Sequence, residues 1–228
     1  MMIFDIITIF PDFFDSFVSE SIIKRAQTKG LIKINAHNLR DFTEDPHKVI
    51  DDKAFGGGIG MVVKIEPIYK AVQFLKNKNN NKKIKKQVKI INFTPRGKKF
   101  NQKMASEWAK SDQLILICGR YEGIDERVGK YIADENISIG SFVLFGGEIA
   151  AMAVIESVSR LIPGVIGKPQ LLDQRITNQN GFIEYPQYSR PEVFSPEKNK
   201  KWRVPKVLLS GHHKNIEKWR KKHTKVIK

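Results

Sequence analysis

This sequence predicts an α/β protein built on a parallel sheet, with a basic helical segment at its C-terminal end. Strand-length apolar runs alternate with helix-length amphipathic stretches, the order that yields parallel strands joined by crossover helices. Three of those runs end among glycines: residues 88–97 (VKIINFTPRG), 113–119 (QLILICG) and 137–147 (ISIGSFVLFGG). An apolar run that stops at glycine delivers backbone to the carboxyl end of a buried parallel strand, where ligands bind. Three ordinary βα turns would leave the same trace. The charged residues set among the glycines favour one shared cleft.

The elements follow in order. Residues 2–10 read as a strand and 13–29 as a helix closed by Gly30. Residues 31–38 form a strand. Residues 40–60 are poor in apolar side chains and rich in charge and glycine, an ordered loop. A helix over 66–77 places Ile68, Ala71, Val72 and Leu75 on one face, with Pro67 in its first turn. Then come a strand (88–93), a helix (98–110), a strand (113–118), a short helix (122–131) and a strand (141–144). Residues 147–162 form a helix that is apolar almost all round and is stopped by Pro163 and Gly164. Such a helix is buried, in the core or against a second subunit. Residues 168–180 lack periodicity and read as a linker. Residues 191–228 form a separate basic, helical segment carrying Trp and His. The expected division is a domain over 1–163, a linker over 164–180 and a C-terminal domain over 181–228.

Composition bounds the function. A chain of 228 residues with 41% hydrophobic content builds a real core. The net charge of +16, from 40 Lys and Arg against 24 Asp and Glu, attracts polyanions, of which nucleic acid is the commonest. Part of that excess is the run at 76–86 (KNKNNNKKIKK), which reads as a solvated loop. Cys118 is the only cysteine, so no internal disulfide forms. Lying in an apolar strand, it reads as a small buried residue rather than a nucleophile. The N-terminus, MMIFDIITIFPDFF, carries Asp5 and Asp12 without a basic n-region and does not read as a signal peptide. No stretch approaches the ~18 apolar residues of a membrane span. A cytoplasmic protein, not bound to a membrane, is expected.

Four motifs carry chemistry. Residues 51–60 (DDKAFGGGIG) set Asp51 and Asp52 against Gly56, Gly57, Gly58 and Gly60. Backbone N–H groups in such a run approach phosphates, and the paired acids suit Mg²⁺ or a base edge. A tight turn with solvated carboxylates fits equally well. The Gly-Lys-Ser/Thr of a Walker loop is absent. Residues 119–127 (GRYEGIDER) place Glu122 at the mouth of the sheet, where a carboxylate binds a ribose hydroxyl or an ammonium; a salt-bridged helix start is the plainer alternative. No G-x-G-x-x-G is present, which disfavours a dinucleotide. Arg160 closes the apolar helix, either serving its C-terminus or stabilising negative charge in the cleft. Ser210, Gly211, His212 and His213 precede a helix with Trp219 and Arg220. Adjacent histidines lack metal spacing. The group suits phosphate and base contacts, although a capped amphipathic helix explains it as simply. No residue is assigned as a metal ligand.

The segments IFPDFF, DDKAFGGGIGM, TPRG, CGRYEGIDERV, SIGSFVLFGGEIAAM, SRLIPGV, YPQYSRPEVF and VPKVLLSGHH follow in order over nearly the whole chain. Together they resemble the bacterial tRNA (guanine-N1)-methyltransferases, which modify the guanine 3′ of the anticodon, position 37. The resemblance implies a SPOUT-class fold with a deep trefoil knot, a homodimer and S-adenosylmethionine as methyl donor. General connection rules would not predict a knot. Donor contacts carry over to Asn92, Phe93, Thr94, Pro95, Gly119, Glu122, Ser138, Ile139, Gly140, Phe142, Leu144, Gly146 and Gly147. The family usually has Tyr where Asn92 and Phe142 stand. Arg160 corresponds to its essential arginine. Its Asp-Ser-Phe linker segment is altered here: counting from Gly167 the slot falls near Arg175, and the only nearby acid is Asp173. The general-base role is carried to Asp173, with Glu184 as fallback. Asp51, Asp52, Gly57, Gly58, Ser210, His212 and His213 correspond to tRNA contacts. The resemblance implies use of Mg²⁺, with which Asp51, Asp52 and Glu122 could associate, although the sequence shows no ligand geometry. The knotted domain would bind the donor, and the basic C-terminal domain would grip the anticodon arm. Donor site and linker would come from different protomers. Rival expectations are a ribose 2′-O-methyltransferase of the same fold and a non-catalytic RNA-binding protein.

Overall fold

In a computed structural model, residues 1–78, 87–168, 175–177 and 181–227 are described. The chain forms two units, Met1–Pro169 and Gln170–Lys228. The first runs β1 (Met2–Thr8), α1 (Asp15–Ser19), α2 (Ser21–Thr28), β2 (Ile32–Asn38), β3 (Asp51–Lys53), β4 (Met61–Val63) and α3 (Ile65–Lys78). It continues with β5 (Val88–Lys99), α4 (Gln102–Trp108), β6 (Gln113–Ile117), α5 (Glu126–Tyr131), β7 (Glu135–Ser138) and α6 (Glu148–Ser159).

Five strands form one parallel sheet in the order β2-β1-β6-β5-β7. Every residue of β1 and β6 is buried, as in strands covered on both faces. Alternation sorts their side chains into two cores. Met2, Phe4, Ile6, Leu114 and Leu116 pack with α2, α4 and α6. Ile7, Ile115 and Ile117 pack with α3 and α5 on the other face. The helix expected over 66–77 is α3. Its buried residues, Pro67, Ile68, Ala71, Val72 and Leu75, recur at helical spacing.

Several boundaries differ from expectation, each for a local reason. The helix expected over 13–29 is broken. A 3₁₀ turn (Pro11–Phe14) leads into α1, and Glu20 is extended (φ −122°, ψ 158°) before α2 begins. The loop over 40–60 contains a short antiparallel pair, β3 with β4. β5 does not yield to a helix at residue 98. It runs on to Lys99 with a register shift after Phe93, pairing first Phe93 and then Lys98 with Ile137. Gly97 permits this, because a Cβ there would lie 2.5 Å from the Ile137 backbone nitrogen. α4 starts late because Asn101 caps it, its Oδ1 accepting from Met104 N at 2.9 Å. Asp125 caps α5 in the same way, from Arg127 N at 2.9 Å. The strand expected over 141–144 does not form; β7 lies earlier. Ser138 Oγ donates to Gly140 O at 2.8 Å and accepts from Gly140 N at 3.3 Å, a local turn that ends the strand.

The second unit runs β8 (Phe182–Glu184), β9 (Val193–Glu197), β10 (Lys200–Arg203), α7 (Lys206–Leu209), α8 (His213–Lys222) and β11 (Lys225–Ile227). β9 pairs antiparallel with β10, and β8 with β11. The expected all-helical segment is therefore mixed. Pro196 blocks helix over 193–203, and Val193, Phe194 and Trp202 favour strand. Residues 79–86 of the basic run and most of the linker, with Asp173, lie outside the described residues. Among the described residues no helix is long and apolar enough to cross a membrane.

Candidate active site

β6, β5 and β7 are neighbours, so their carboxyl ends lie side by side. A cavity of about 500 Å³ opens there. That volume suits a small-molecule ligand. Asn92, Phe93, Thr94 and Pro95 reach it from β5, Gly119 and Glu122 from the segment after β6, and Ser138 from the end of β7. Ile139, Phe142, Leu144, Gly146 and Gly147 complete the wall from the loop before α6. The structure thus gathers twelve of the thirteen residues singled out from sequence. Gly140 is the exception: Ser138 engages its backbone, and its α-carbon sits against the Phe142 ring.

The walls are polar where strands end and glycine where backbones meet. Asn92 is buried and donates through Nδ2 to Asn136 Oδ1 at 2.8 Å; Asn136 donates in turn to Gly129 O at 2.9 Å. Asn92 Oδ1 is left buried without a partner among the described residues. A buried acceptor of that kind calls for a donor from a ligand. Gly147 allows its loop to lie on β6, since a Cβ there would come 2.7 Å from Cys118 Cα.

Behind the cavity sits a charge network that sequence reasoning missed. Glu148 is 1% exposed. Its Oε1 accepts from Thr8 Oγ1 at 2.8 Å and its Oε2 from Arg120 Nε at 3.0 Å. Arg120 also lies over the rings of Phe10 and Phe13, 4.8 and 5.9 Å from their centres. An acid directly after Gly146 and Gly147, heading an apolar helix, was the available signal, since buried charges need partners. Burial pushes the Cys118 thiol well up, Glu148 adds to this and Arg120 partly offsets it. The thiol stays protonated, as the sequence reading of an inert cysteine expects. Asn136, Arg96, Tyr121, Val143 and Phe145 line the cavity as well and were not singled out.

β4 ties the glycine loop to this wall. Val63 N donates to Gly123 O at 3.0 Å, Asp125 N to Val63 O at 3.0 Å and Glu122 N to Met61 O at 3.1 Å. Asp51 and Asp52 lie on β3, where Asp52 Oδ1 accepts from Lys53 N at 2.7 Å. Gly57 and Gly58 take positive φ (82° and 119°) in the following turn, which leaves Phe55 and Ile59 fully exposed. Arg127 holds the Asp125 carboxyl below the usual carboxylate range. Among the described residues, no three His, Cys, Asp or Glu side chains gather in a way that could hold a metal ion.

Arg160 does not line the cavity. It is exposed at the C-cap of α6. The 12 residues of that helix lie between it and Gly147, a separation of about 20 Å at 1.5 Å per residue. Glu184, the fallback base, accepts from Arg175 Nη1 at 2.7 Å. In the second unit Ser210 Oγ accepts from His212 N at 3.2 Å, and His213 opens α8. Ser210, His212 and His213 are all exposed. Trp219 stacks on His223 with centroids 4.2 Å apart, and Tyr185 lies 5.1 Å from both Arg175 and Arg220. Residues 181–228 hold thirteen Lys and Arg against four Glu.

Residues 2–227 match a family model described as tRNA (Guanine-1)-methyltransferase TrmD. The chain belongs to the tRNA (guanine-N1)-methyltransferase family. A tRNA (guanine-N(1)-)-methyltransferase of Dictyoglomus turgidum is 50% identical to it over 222 residues, 97% of this chain and 84% of the relative. A relative of the same description from Clostridium novyi is 50% identical over 217 residues, 95% and 84% of the two chains. The crystal structure of tRNA (m1G37) methyltransferase from Aquifex aeolicus superposes with a TM-score of 0.77 at 39% identity, covering 97% of this chain and 88% of that one. This methyltransferase therefore carries its cavity on a parallel-stranded scaffold similar to that of a solved relative.

Proposed function

We propose that this methyltransferase transfers a methyl group from S-adenosylmethionine to N1 of guanine 37, the nucleotide 3′ of the anticodon, in tRNA. The observation that carries the reading is the convergence of three parallel-strand ends on one cavity, in a chain of this family. The cavity fits the donor. Its volume suits a small molecule, and Asn92 Oδ1 supplies an acceptor left without a partner among the described residues. When bound, the donor supplies a methyl group already activated on a sulfonium.

The chain's own residues do the rest. Guanine N1 is protonated at neutral pH and a poor nucleophile. Asp173 removes that proton, and Arg160 holds the negative charge that gathers on O6. Backbone around Gly119 and Gly147 fixes the donor, so much of the rate comes from alignment. The described residues do not form a cage for Mg²⁺, and no step is assigned to it.

The working form is a homodimer. Arg160 and the cavity lie at opposite ends of α6, which supports an arrangement in which a second chain supplies the arginine. The exposed run Phe142, Val143, Leu144, Phe145, together with Ile149, supplies apolar area for a second copy. α6 itself is largely buried in its own chain. A deep trefoil knot in the first unit is supported by family membership. The basic second unit grips the anticodon arm through Ser210, His212 and His213, with Asp51, Asp52, Gly57 and Gly58 contributing from the first. A cytoplasmic location follows from that substrate.

The test is methyl transfer to a tRNA transcript with guanine or another base at position 37, the product read by mass spectrometry of nucleosides. N1-methylguanosine from the guanine transcript alone is expected. A ribose 2′-O-methyl product, or no calorimetric binding of S-adenosylmethionine, would overturn the reading. Asp173→Ala should lower single-turnover methylation by about 10²–10⁴ and leave donor affinity unchanged; wild-type turnover removes Asp173 from its role.

A further inference from the structure

The β9–β10 hairpin presents a surface to which the proposed methyl transfer assigns no role. Phe194 and Trp202 are partners across its two strands. Their ring centroids are 5.7 Å apart with an interplanar angle of 44°. Aromatic pairs usually close a core. These two stay open to solvent, Phe194 with 51% and Trp202 with 57% of its surface exposed. The surrounding hairpin is basic: Lys198, Lys200, Lys201 and Arg203 stand against one acid, Glu197, within residues 193–203. Lys200 Nζ lies 5.8 Å from the Trp202 ring centre, so a cation sits beside the rings.

Exposed rings among cations match unpaired nucleobases on a phosphate chain. Every base has a π-face that stacks on an aromatic side chain, and lysines neutralise the phosphates between. A paired duplex offers the phosphates but hides the base faces. The chain's charge of +16 is complementary to RNA as a whole.

We propose that the β9–β10 hairpin is a base-stacking arm, in which Phe194 and Trp202 engage unpaired nucleotides of the tRNA other than the guanine that is methylated, while the flanking lysines contact adjacent phosphates. This rests on the tRNA reading above and adds a second point of recognition to it.

The test uses the full chain, a tRNA transcript and a fully paired RNA duplex of similar length, with affinities read by fluorescence anisotropy. Phe194→Ala and Trp202→Ala should each weaken transcript binding about tenfold and leave duplex binding close to wild type. Phe194→Tyr and Trp202→Phe keep a ring and should bind as wild type. Wild-type transcript affinity in both alanine variants overturns the proposal. So does an equal loss for transcript and duplex, which marks the hairpin as structural or purely electrostatic. Ultraviolet cross-linking of the wild-type chain to the transcript needs no variant: a nucleotide adduct on Phe194 or Trp202 is expected, and none within residues 193–203 overturns the arm. Methylation of the same transcript by the wild-type chain is followed in parallel. A transcript left unmethylated at guanine N1 defeats the enzymatic reading. A methylated transcript with undiminished binding in the alanine variants defeats only the arm.

Discussion

An isolated carboxylate as buried as Glu148 would be too unfavourable to persist. Thr8 and Arg120 make it tenable, and in doing so they fix the loop that carries Gly146 and Gly147 into the cavity. Neither partner is near Glu148 in sequence; Thr8 is 140 residues away. Asn92 and Asn136 are likewise joined over 44 residues. Pairings of this range are invisible to periodicity, which is why the glycines around the cavity were legible and the network behind it was not. Cys118 lies within the same network and gives it a pH signature. Its folded-state thiol is raised well above the ordinary value by burial. In the unfolded chain it ionises near about pH 8.5. The associated stability is thus fully present below that pH and is lost as pH rises past it, by up to about 1.4 kcal/mol per pH unit. Between pH 8 and 9.5 the urea midpoint of the wild type should fall more steeply than that of Cys118→Ala. Parallel slopes would show that the thiol does not contribute.

At the scale of elements, legibility followed burial on one stripe. α3 announces itself because Ile68, Ala71, Val72 and Leu75 face one core. β6 does so because all five residues are buried and the four after Gln113 are apolar. The apolar run at 141–144 misleads for the opposite reason. Phe142, Val143 and Leu144 are hydrophobic yet exposed, so their composition reports a surface and not a strand. Strands β9 and β10 were hidden by the lysines around them. The register shift of β5 against β7 depended on one residue, Gly97, whose significance appears only once Ile137 is beside it. Gly97→Ala tests that close approach. The added methyl would meet backbone, which cannot rotate away, so overpacking should cost about 1–3 kcal/mol. For a chain of this size that is a fall in melting temperature of roughly 2–4 °C per kcal/mol. A variant that melts with the wild type would show that the two strands part freely.

For the whole molecule, α6 imposes a separation that the chemistry has to bridge. It is buried along most of its length, holds Gly147 at one end and presents Arg160 at the other. On the proposed role of Arg160 and the proposed homodimer, a rigid spacer of this kind leaves each chain half-equipped at two places. Two individually dead variants should then rescue one another. Arg160→Ala has a sound donor cavity, whereas Gly147→Val, whose side chain would run into Cys118, retains a sound arginine. Unfolded together and refolded as a mixture, they form some hybrid pairs in which one intact cavity faces one intact arginine. Methyl transfer should reappear in the mixture while each variant refolded alone remains silent. A mixture as silent as its components would mean that the arginine serves its own chain.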